Sequence, residues 1–340
     1  MFSYVMIALY DEERTYKDMK ALKVSGKVLL YIVVTLLLLL LLLRLGVTVL
    51  YFDYFNNSKS EFMVPGLTSA WVPQGFHYVE DDELYLMSGY MSDGTASRVY
   101  VRYENGDTHY VELKNADGSD YTRHCGGVCQ NGDFVYVAGK KGIEVFRFED
   151  FLSNNTAVNV GKIPADYNIS YCSIHNGYLF AGNFYNAESH ESPEQHRITT
   201  PSGDANTSLI TVYKIDELEE YGINLKPVAA ISAPSKVQGI CFTYDDEIVL
   251  STSYSVASSH LYYHRLNTAS SGIIQVCETE VPLFYLDSGS LTDTVTLPPM
   301  SEELVFRNGR VYVLCESACN KYIFGKFIRG YQVFSYSLEG

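Results

Sequence analysis

The sequence predicts an all-β protein that forms a single β-propeller, preceded by one transmembrane helix. Three observations predict this fold. A polar turn followed within two residues by an aliphatic or aromatic strand occurs five times after residue 70, and a second apolar strand follows each time. These turns lie 45 to 69 residues apart, and a long apolar segment precedes all of them. Repeats of this length, rich in short strands, are typical of radially arranged blades.

The apolar segment at residues 28–52 predicts a membrane anchor. Val28 to Leu43 is free of charge and contains eight consecutive leucines, and a helix needs about 20 apolar residues to cross a bilayer. Arg44 would lie near the far interface, where its long side chain can reach the head groups. The residues from Val49 to Asp53 offer no small-residue cleavage site, so we favour a retained anchor over a cleaved signal peptide.

Four lysines before the anchor predict its orientation: Lys17, Lys20, Lys23 and Lys27. Positive charge is retained on the cytoplasmic side. We therefore expect a single-pass protein of the cell membrane with its C-terminal domain outside. The predicted parts are a cytoplasmic tail (1–27), the anchor (28–52), a linker (53–60) and the propeller (61–340). A linker of this length reaches at most about 28 Å, which keeps the propeller close to the membrane.

A further apolar strand precedes each turn, so every repeat begins with two strands that a tight turn joins. The turns are Asp81-Asp82, Asn131-Gly132, Asn176-Gly177, Asp245-Asp246 and Asn308-Gly309. A fourth strand is predicted after the third in four repeats, at Tyr110–Leu113, Val158–Val160, Val228–Ile231 and Ile273–Val276. Because the last repeat has only three strands, we expect Phe62–Val64 to supply its fourth and close the ring.

The number of blades stays open between five, which is favoured, and six. The segment from Cys277 to Leu297 is long enough to contain two further strands. A sixth blade would have to be formed there.

Charge excludes one class of partner. The chain has a net charge of −15, and residues 51–340 hold 36 acidic and 19 basic residues, a balance of −17. Such a field repels nucleic acid and does not favour anionic lipid. Partners are therefore expected to be a small molecule, a glycan or a protein.

All seven cysteines lie in the predicted outer domain. An oxidising compartment permits bridges such as Cys125 with Cys129 or Cys315 with Cys319. The alternative is buried free thiols, since cysteine also behaves as a small apolar residue.

Loop length predicts which face binds. The turns between first and second strands are short, whereas long loops join second to third strands at 88–96, 183–208, 252–258 and 316–330. Because binding residues concentrate on loops held by a rigid scaffold, the site is expected on the face with the long loops.

One polar or aromatic residue at the start of each inner strand is expected near the axis: Gln74, His124, Tyr171, Gln238 and Glu302. Further candidates follow the second strands, namely Asn183, Tyr185, Ser253 and Glu316, together with Tyr90 and Tyr254. These side chains could hold a sugar, a peptide or a hydrated cation, or could bond to one another and to trapped water. Glu302 is the strongest single candidate, because it precedes an otherwise apolar strand.

The pairs Gln74-Gly75 and Gln238-Gly239, each followed by a strand and a polar turn, resemble gluconolactonase-like and strictosidine-synthase-like propellers over residues 60 to 340. That resemblance implies a divalent cation such as Ca²⁺, with Glu302 and Asn183 as its ligands. In an enzyme of this kind, His124 would act as acid or base, because its ordinary pKa lies near neutrality.

Three functions follow from these observations. The first is a membrane-anchored binding or scaffold domain outside the cell, without a cofactor. The second is a metal-dependent hydrolase of the lactonase type. In the third, the face with the tight turns docks a neighbouring membrane protein during assembly.

Overall fold

The computed structural model describes residues 2–267 and 272–338, which belong to two compact units, 1–50 and 51–340. The first unit is one helix, α1 (Phe2–Leu50). Its part from Ser25 to Leu50 has 26 residues with a mean hydropathy of 2.9 and none of it is buried. By length and composition this helix can cross a membrane, and the same properties also suit a signal sequence.

The second unit begins with the short helix α2 (Phe52–Asn56) and strand β1 (Ser58–Met63). Both overlap residues 53–60, which the sequence suggests as a linker. Tyr54 of α2 is buried and stacks on Tyr336 with ring centroids 5.9 Å apart. The entry to this unit is therefore held by packing.

Blade one contains, from the inside outward, β2 (Trp71–Val79), β3 (Leu84–Met91), β4 (Arg98–Tyr103) and β5 (Thr108–Lys114). Blade two contains β6 (Val128–Asn131), β7 (Phe134–Gly139), β8 (Gly142–Arg147) and, at its outer edge, β10 (Gly161–Pro164). Helix α3 (Phe148–Ser153) and strand β9 (Thr156–Val158) come between β8 and β10.

Strand β9 corrects the prediction for blade two. Val158–Val160 does not form its outer strand; β9 instead pairs in parallel with β5 of blade one. The apolar residues correctly signal a strand, but they do not specify its partner. Its pairing with β5 covers the outer edge of blade one and satisfies the main-chain groups there.

Blade three contains β11 (Tyr171–His175), β12 (Tyr178–Gly182), β15 (Ser208–Ile215) and β16 (Ile223–Ala233). The long loop before β15 carries a 3₁₀ turn (Glu194–His196) and the two-residue strands β13 (Ile198–Thr199) and β14 (Ala205–Asn206). Blade four contains β17 (Val237–Phe242), β18 (Ile248–Thr252), β19 (Ser259–His264) and β22 (Leu291–Leu297).

Two strands between β19 and β22 leave blade four altogether. They are β20 (Gly272–Val276) and β21 (Thr279–Tyr285), and β21 pairs in parallel with β16 of blade three. The prediction that Ile273–Val276 forms the outer strand of blade four is therefore wrong, and so is a sixth blade between Cys277 and Leu297. The residues that could have built it extend blade three and supply β22.

Blade five contains β23 (Ser301–Arg307), β24 (Arg310–Cys315), β25 (Gln332–Tyr336) and β1. A 3₁₀ turn (Phe324–Lys326) lies in the loop before β25. Phe62 pairs with Val333 and Met63 with Gln332, which confirms that the start of the domain closes the ring. Phe62 also packs on Tyr85, and the Arg102 guanidinium lies 4.2 Å above its ring.

The innermost strands β2, β6, β11, β17 and β23 each contact the next, and β23 contacts β2. Residues 51–267 and 272–338 thus form a five-bladed propeller, as the repeats predict. Two of the hairpins show why the turns are local signals: Asn176-Gly177 and Asn308-Gly309 have positive φ at both positions, which a type I′ turn requires.

The apolar core lies between adjacent blades. Cys129 and Tyr136 of blade two, for example, pack with Cys172 and Leu179 of blade three. All seven cysteines are free thiols, so neither suggested bridge forms. The nearest described approach places the sulfurs of Cys129 and Cys172 3.6 Å apart.

Candidate functional site

A cavity of about 840 Å³ opens on the face with the long loops, and all five blades contribute to its wall. Its position follows from the fold, because the starts of the inner strands converge there. The polar and aromatic lining residues are Gln74, Tyr90, Arg123, His124, Lys140, Asn168, Ser170, Phe184, His190, Gln238, Ser253, Tyr254, Ser255, Glu316, Lys321 and Tyr322.

Five of the nine predicted site residues line this cavity: Gln74, His124, Gln238, Ser253 and Glu316. Tyr90 and Tyr254, the additional aromatic candidates, do so as well. The structure therefore brings together residues that are far apart in the chain, such as Gln74 and Glu316, which are separated by 242 positions.

The other four predicted residues lie outside the lining. Tyr171 is fully buried in the core. Asn183 is buried, and its side-chain oxygen accepts a hydrogen bond from the main-chain N–H of Leu209 at 2.8 Å. Tyr185 packs with Arg197, whose guanidinium carbon lies 5.5 Å from the centre of the Tyr185 ring. Glu302 is buried behind the cavity wall.

Glu316 and Gln74 form the polar contact at the junction of blades five and one. The Gln74 amide donates to a Glu316 carboxylate oxygen at 2.8 Å. Burial raises the pKa of Glu316 to about 7, while this hydrogen bond and the charge of Lys321 oppose the rise. Near neutral pH, Glu316 therefore carries a proton in part of the molecules.

Glu302 accepts a long hydrogen bond of 3.5 Å from the Gln238 amide. Burial raises its pKa, and the neighbouring Glu316 and Glu303 raise it further. The environment thus favours the neutral acid over the carboxylate.

Glu303 was not among the predicted site residues, yet it has the more definite contacts. Its two oxygens accept hydrogen bonds from the main-chain N–H groups of Ile240 at 2.7 Å and Cys172 at 3.3 Å. Burial raises its pKa as well. Glu303 therefore joins blade five to blades four and three beneath the cavity, and its role is structural.

His124 stacks on Tyr90 with ring centroids 4.7 Å apart. Desolvation by the surrounding protein lowers the pKa of His124 to about 4, and the positive charge of Lys321 adds to the effect. The ring nevertheless keeps an exposed surface inside the cavity, so contact with water makes this shift smaller than it would be for a sealed ring. The direction favours a neutral imidazole.

The residues predicted to hold a divalent cation are both engaged in protein contacts: the Asn183 oxygen with the main chain, and Glu302 with Gln238. Across residues 2–267 and 272–338, no group of three or more His, Cys, Asp or Glu side chains is placed to hold a metal ion. These two residues therefore do not fit such an ion in their present arrangement, and we derive no step through one.

Three cations of the cavity, Arg123, Lys140 and Lys321, were missed from the sequence. Lys140 belongs to the turn Gly139-Lys140-Lys141-Gly142 between β7 and β8. Lys321 lies in the long loop of blade five, where it donates to the Tyr90 hydroxyl at 2.6 Å. The positive charge of these turns and loops was the sequence signal that could have indicated the three residues.

No protein-family model matches the chain, and no curated protein matches it. The chain is similar to three solved structures, among others. One described as a gluconolactonase is 13% identical, with a TM-score of 0.41, and the match covers 83% of this chain and 91% of that one. A glucose dehydrogenase-type oxidoreductase of Thermus thermophilus is 10% identical, with a TM-score of 0.44 and coverages of 82% and 98%.

The third is the PQQ-bound aldose sugar dehydrogenase of Streptomyces coelicolor, at 10% identity and a TM-score of 0.41, with coverages of 76% and 78%. Gluconolactonase-like proteins are thus among the matches, as the resemblance predicts. At such identities and TM-scores the likeness says nothing about ligand or activity. The assignment of five blades comes from the strand pairing above.

Proposed function

We propose that this protein is a membrane-anchored propeller that binds a small molecule or a glycan outside the cell. The observation that carries the proposal is the cavity of about 840 Å³, to which loops of all five blades contribute. Its volume falls within the range of about 300–1,000 Å³ found for small-molecule sites.

The chemistry of the wall supports a polar ligand with apolar surfaces. The amides of Gln74 and Gln238 line the cavity. The Gln74 nitrogen already donates to Pro73 and Glu316, so its oxygen is the group left to accept a hydrogen bond from a ligand. The rings of Phe184 and Tyr254 lie 6.4 Å apart and offer faces for packing. Mixed amide, hydroxyl and aromatic groups suit a sugar better than they suit a purely apolar molecule.

The anchor is the second part of the proposal. Helix α1 carries a 26-residue apolar part, and four lysines precede it. By the distribution of positive charge, residues 1–27 lie in the cytoplasm and residues 53–340 outside. The cavity then faces the extracytoplasmic space.

Ligand binding can be tested with the full chain in detergent micelles, by thermal shift against a panel of soluble glycans and metabolites. A ligand of the cavity should lose at least about tenfold in affinity on Tyr254→Ala, because burying a large apolar side chain contributes on the order of 1.5–3 kcal/mol. The matched control is Tyr244→Ala: Tyr244 is 75% exposed, belongs to the turn after β17 and lies outside the cavity lining. Equal losses for both variants, or no hit in the panel, would count against the cavity as a binding site.

The anchor can be tested separately in cells that express the full-length chain. A retained anchor gives the full-length chain in the membrane fraction after alkaline extraction, and external protease digests the propeller on intact cells. A product shortened by the length of α1, or a propeller protected until the cells are lysed, would refute this part.

A further inference from the structure

The charge of the cavity is opposite to that of its domain. Residues 51–340 carry a net charge of −17, yet the described lining contains Arg123, Lys140 and Lys321 against a single carboxyl group, Glu316. The three cations come from separate places: the connection between blades one and two, the β7–β8 turn, and the long loop of blade five. An excess of positive charge assembled from three segments calls for a reason.

Salt bridges within the protein do not explain these three cations. Among the ion pairs within residues 2–267 and 272–338, none includes Arg123, Lys140 or Lys321. Lys321 instead donates to a neutral hydroxyl, that of Tyr90, and lies 5.0 Å from the Tyr322 ring. Its charge is available to a ligand beside these two rings.

The one carboxyl group offsets them only in part. Glu316 is hydrogen-bonded to Gln74, and its pKa of about 7 leaves it partly neutral at physiological pH. His124 adds no compensating negative charge in either protonation state. A small anion entering the cavity therefore meets a positive local field, even though the domain as a whole repels large polyanions.

We propose that the ligand is an anionic saccharide whose carboxylate group lies towards Arg123, Lys140 and Lys321. This inference rests on the proposed function and narrows its ligand class. The sugar ring packs on the aromatic side chains, and its hydroxyl groups bond to the amides of Gln74 and Gln238. A guanidinium group and two ammonium groups supply the donors that a carboxylate requires.

The test measures binding by calorimetry on the full chain in detergent micelles, with three probes: digalacturonate, its neutral dimethyl ester, and inorganic phosphate. Digalacturonate should bind at least about tenfold more tightly than the ester, because a hydrogen bond to a charged group contributes more than one between neutral groups. Arg123→Gln, Lys140→Gln and Lys321→Gln should each reduce this preference. Lys226→Gln is the matched control, since Lys226 is exposed on β16 and lies outside the cavity lining.

Each remaining outcome overturns the inference in a different way. If the ester binds as tightly as the acid, the cavity takes saccharides but does not select charge. If phosphate competes with digalacturonate at equal concentration, the cations bind a simple anion and the sugar is irrelevant. If all three probes fail, the anionic saccharide is wrong, while a panel ligand sensitive to Tyr254→Ala would still establish the binding cavity itself.

Discussion

Replacing Glu303 should show how strongly a single buried carboxyl group holds three blades together. Both of its oxygens accept main-chain hydrogen bonds, from Ile240 and Cys172, and Glu303 is fully buried. In Glu303→Ala these N–H groups lose their acceptor in a place that water does not reach. Each unsatisfied group costs about 1–3 kcal/mol, so we expect a loss of about 2–6 kcal/mol in the free energy of unfolding.

Glu303→Gln should cost about half as much, on the order of 1–3 kcal/mol, because only one of the two N–H groups loses its acceptor. Its amide oxygen can keep the shorter bond to Ile240, while its amide nitrogen faces Cys172 and cannot accept. The amide also resembles the protonated acid that burial favours at this position.

Urea unfolding of the full chain in micelles gives these values, followed by the fluorescence of Trp71, which is the only tryptophan and fully buried. The matched control is Glu144→Ala. Glu144 is also buried, but its partners are the side chains of Asn159 and Lys162, which can turn to water. The reasoning is refuted if Glu303→Ala loses less than about 1 kcal/mol, or if Glu303→Gln loses as much as Glu303→Ala.

Three further predictions concern stability. The native state of Glu316 binds a proton that the unfolded state releases between pH 4.5 and about 7, so this group's contribution to stability is full below 4.5 and is lost as pH rises through 7. The thermal stability of Glu316→Gln should therefore match that of the wild type at pH 4.5 and exceed it at pH 8, as thermal melts at both pH values can show. An equal difference in melting temperature between the two proteins at both pH values would contradict the raised pKa. Phe62→Ala should cost about 1.5–3 kcal/mol because it removes packing at the closing strand, whereas Met63→Ala, at a side chain 66% exposed, should change the urea midpoint little. Gly239→Ala should prevent folding or cost more than about 3 kcal/mol, because a Cβ there would lie 2.5 Å from the Glu303 main chain. In the control Gly272→Ala, the nearest atom to the new Cβ lies 3.8 Å away. Similar soluble yields for both variants would disprove this steric argument.

The features that could be predicted from the sequence depend on short stretches of chain. An Asn-Gly pair between apolar strands specifies its own turn, because few other residues adopt the positive φ values that the turn needs. The missing fourth strand of the last blade also predicted the ring closure at Phe62. The turn requires only neighbouring residues, and the ring closure requires only the number of strands in each repeat and the rule that sheet edges are covered.

The features that were missed depend on contacts between distant segments. Strand β9 and the β20–β21 hairpin are visible as apolar runs, but their partners are set by which outer edge remains open. The register of β23 shifts between Ser301 and Leu304, and this irregularity buries Glu302 and Glu303 together instead of pointing one of them to water. A sequence pattern of strict alternation cannot show it.

The cavity falls between these cases. Gln74 and Gln238 could be placed near it because both stand at the start of an inner strand, and Glu316 because it follows the second strand of its repeat. Arg123, Lys140 and Lys321 could not, since the conformation of the loops that carry them has no repeat to refer to. The polar groups of the site were thus more predictable than its charge.

Because β9 pairs in parallel with β5 and β21 with β16, each of these strands belongs to the sheet of the blade before its own sequence repeat. A deletion within one repeat would consequently alter the sheet of a neighbouring blade. Loss of residues 272–285 would leave the four strands of blade four intact and would uncover the outer edge of blade three. The natural unit for duplication or exchange in this protein is therefore larger than one blade, and a chimera joined at the apparent repeat boundaries would separate strands that belong to the same sheet.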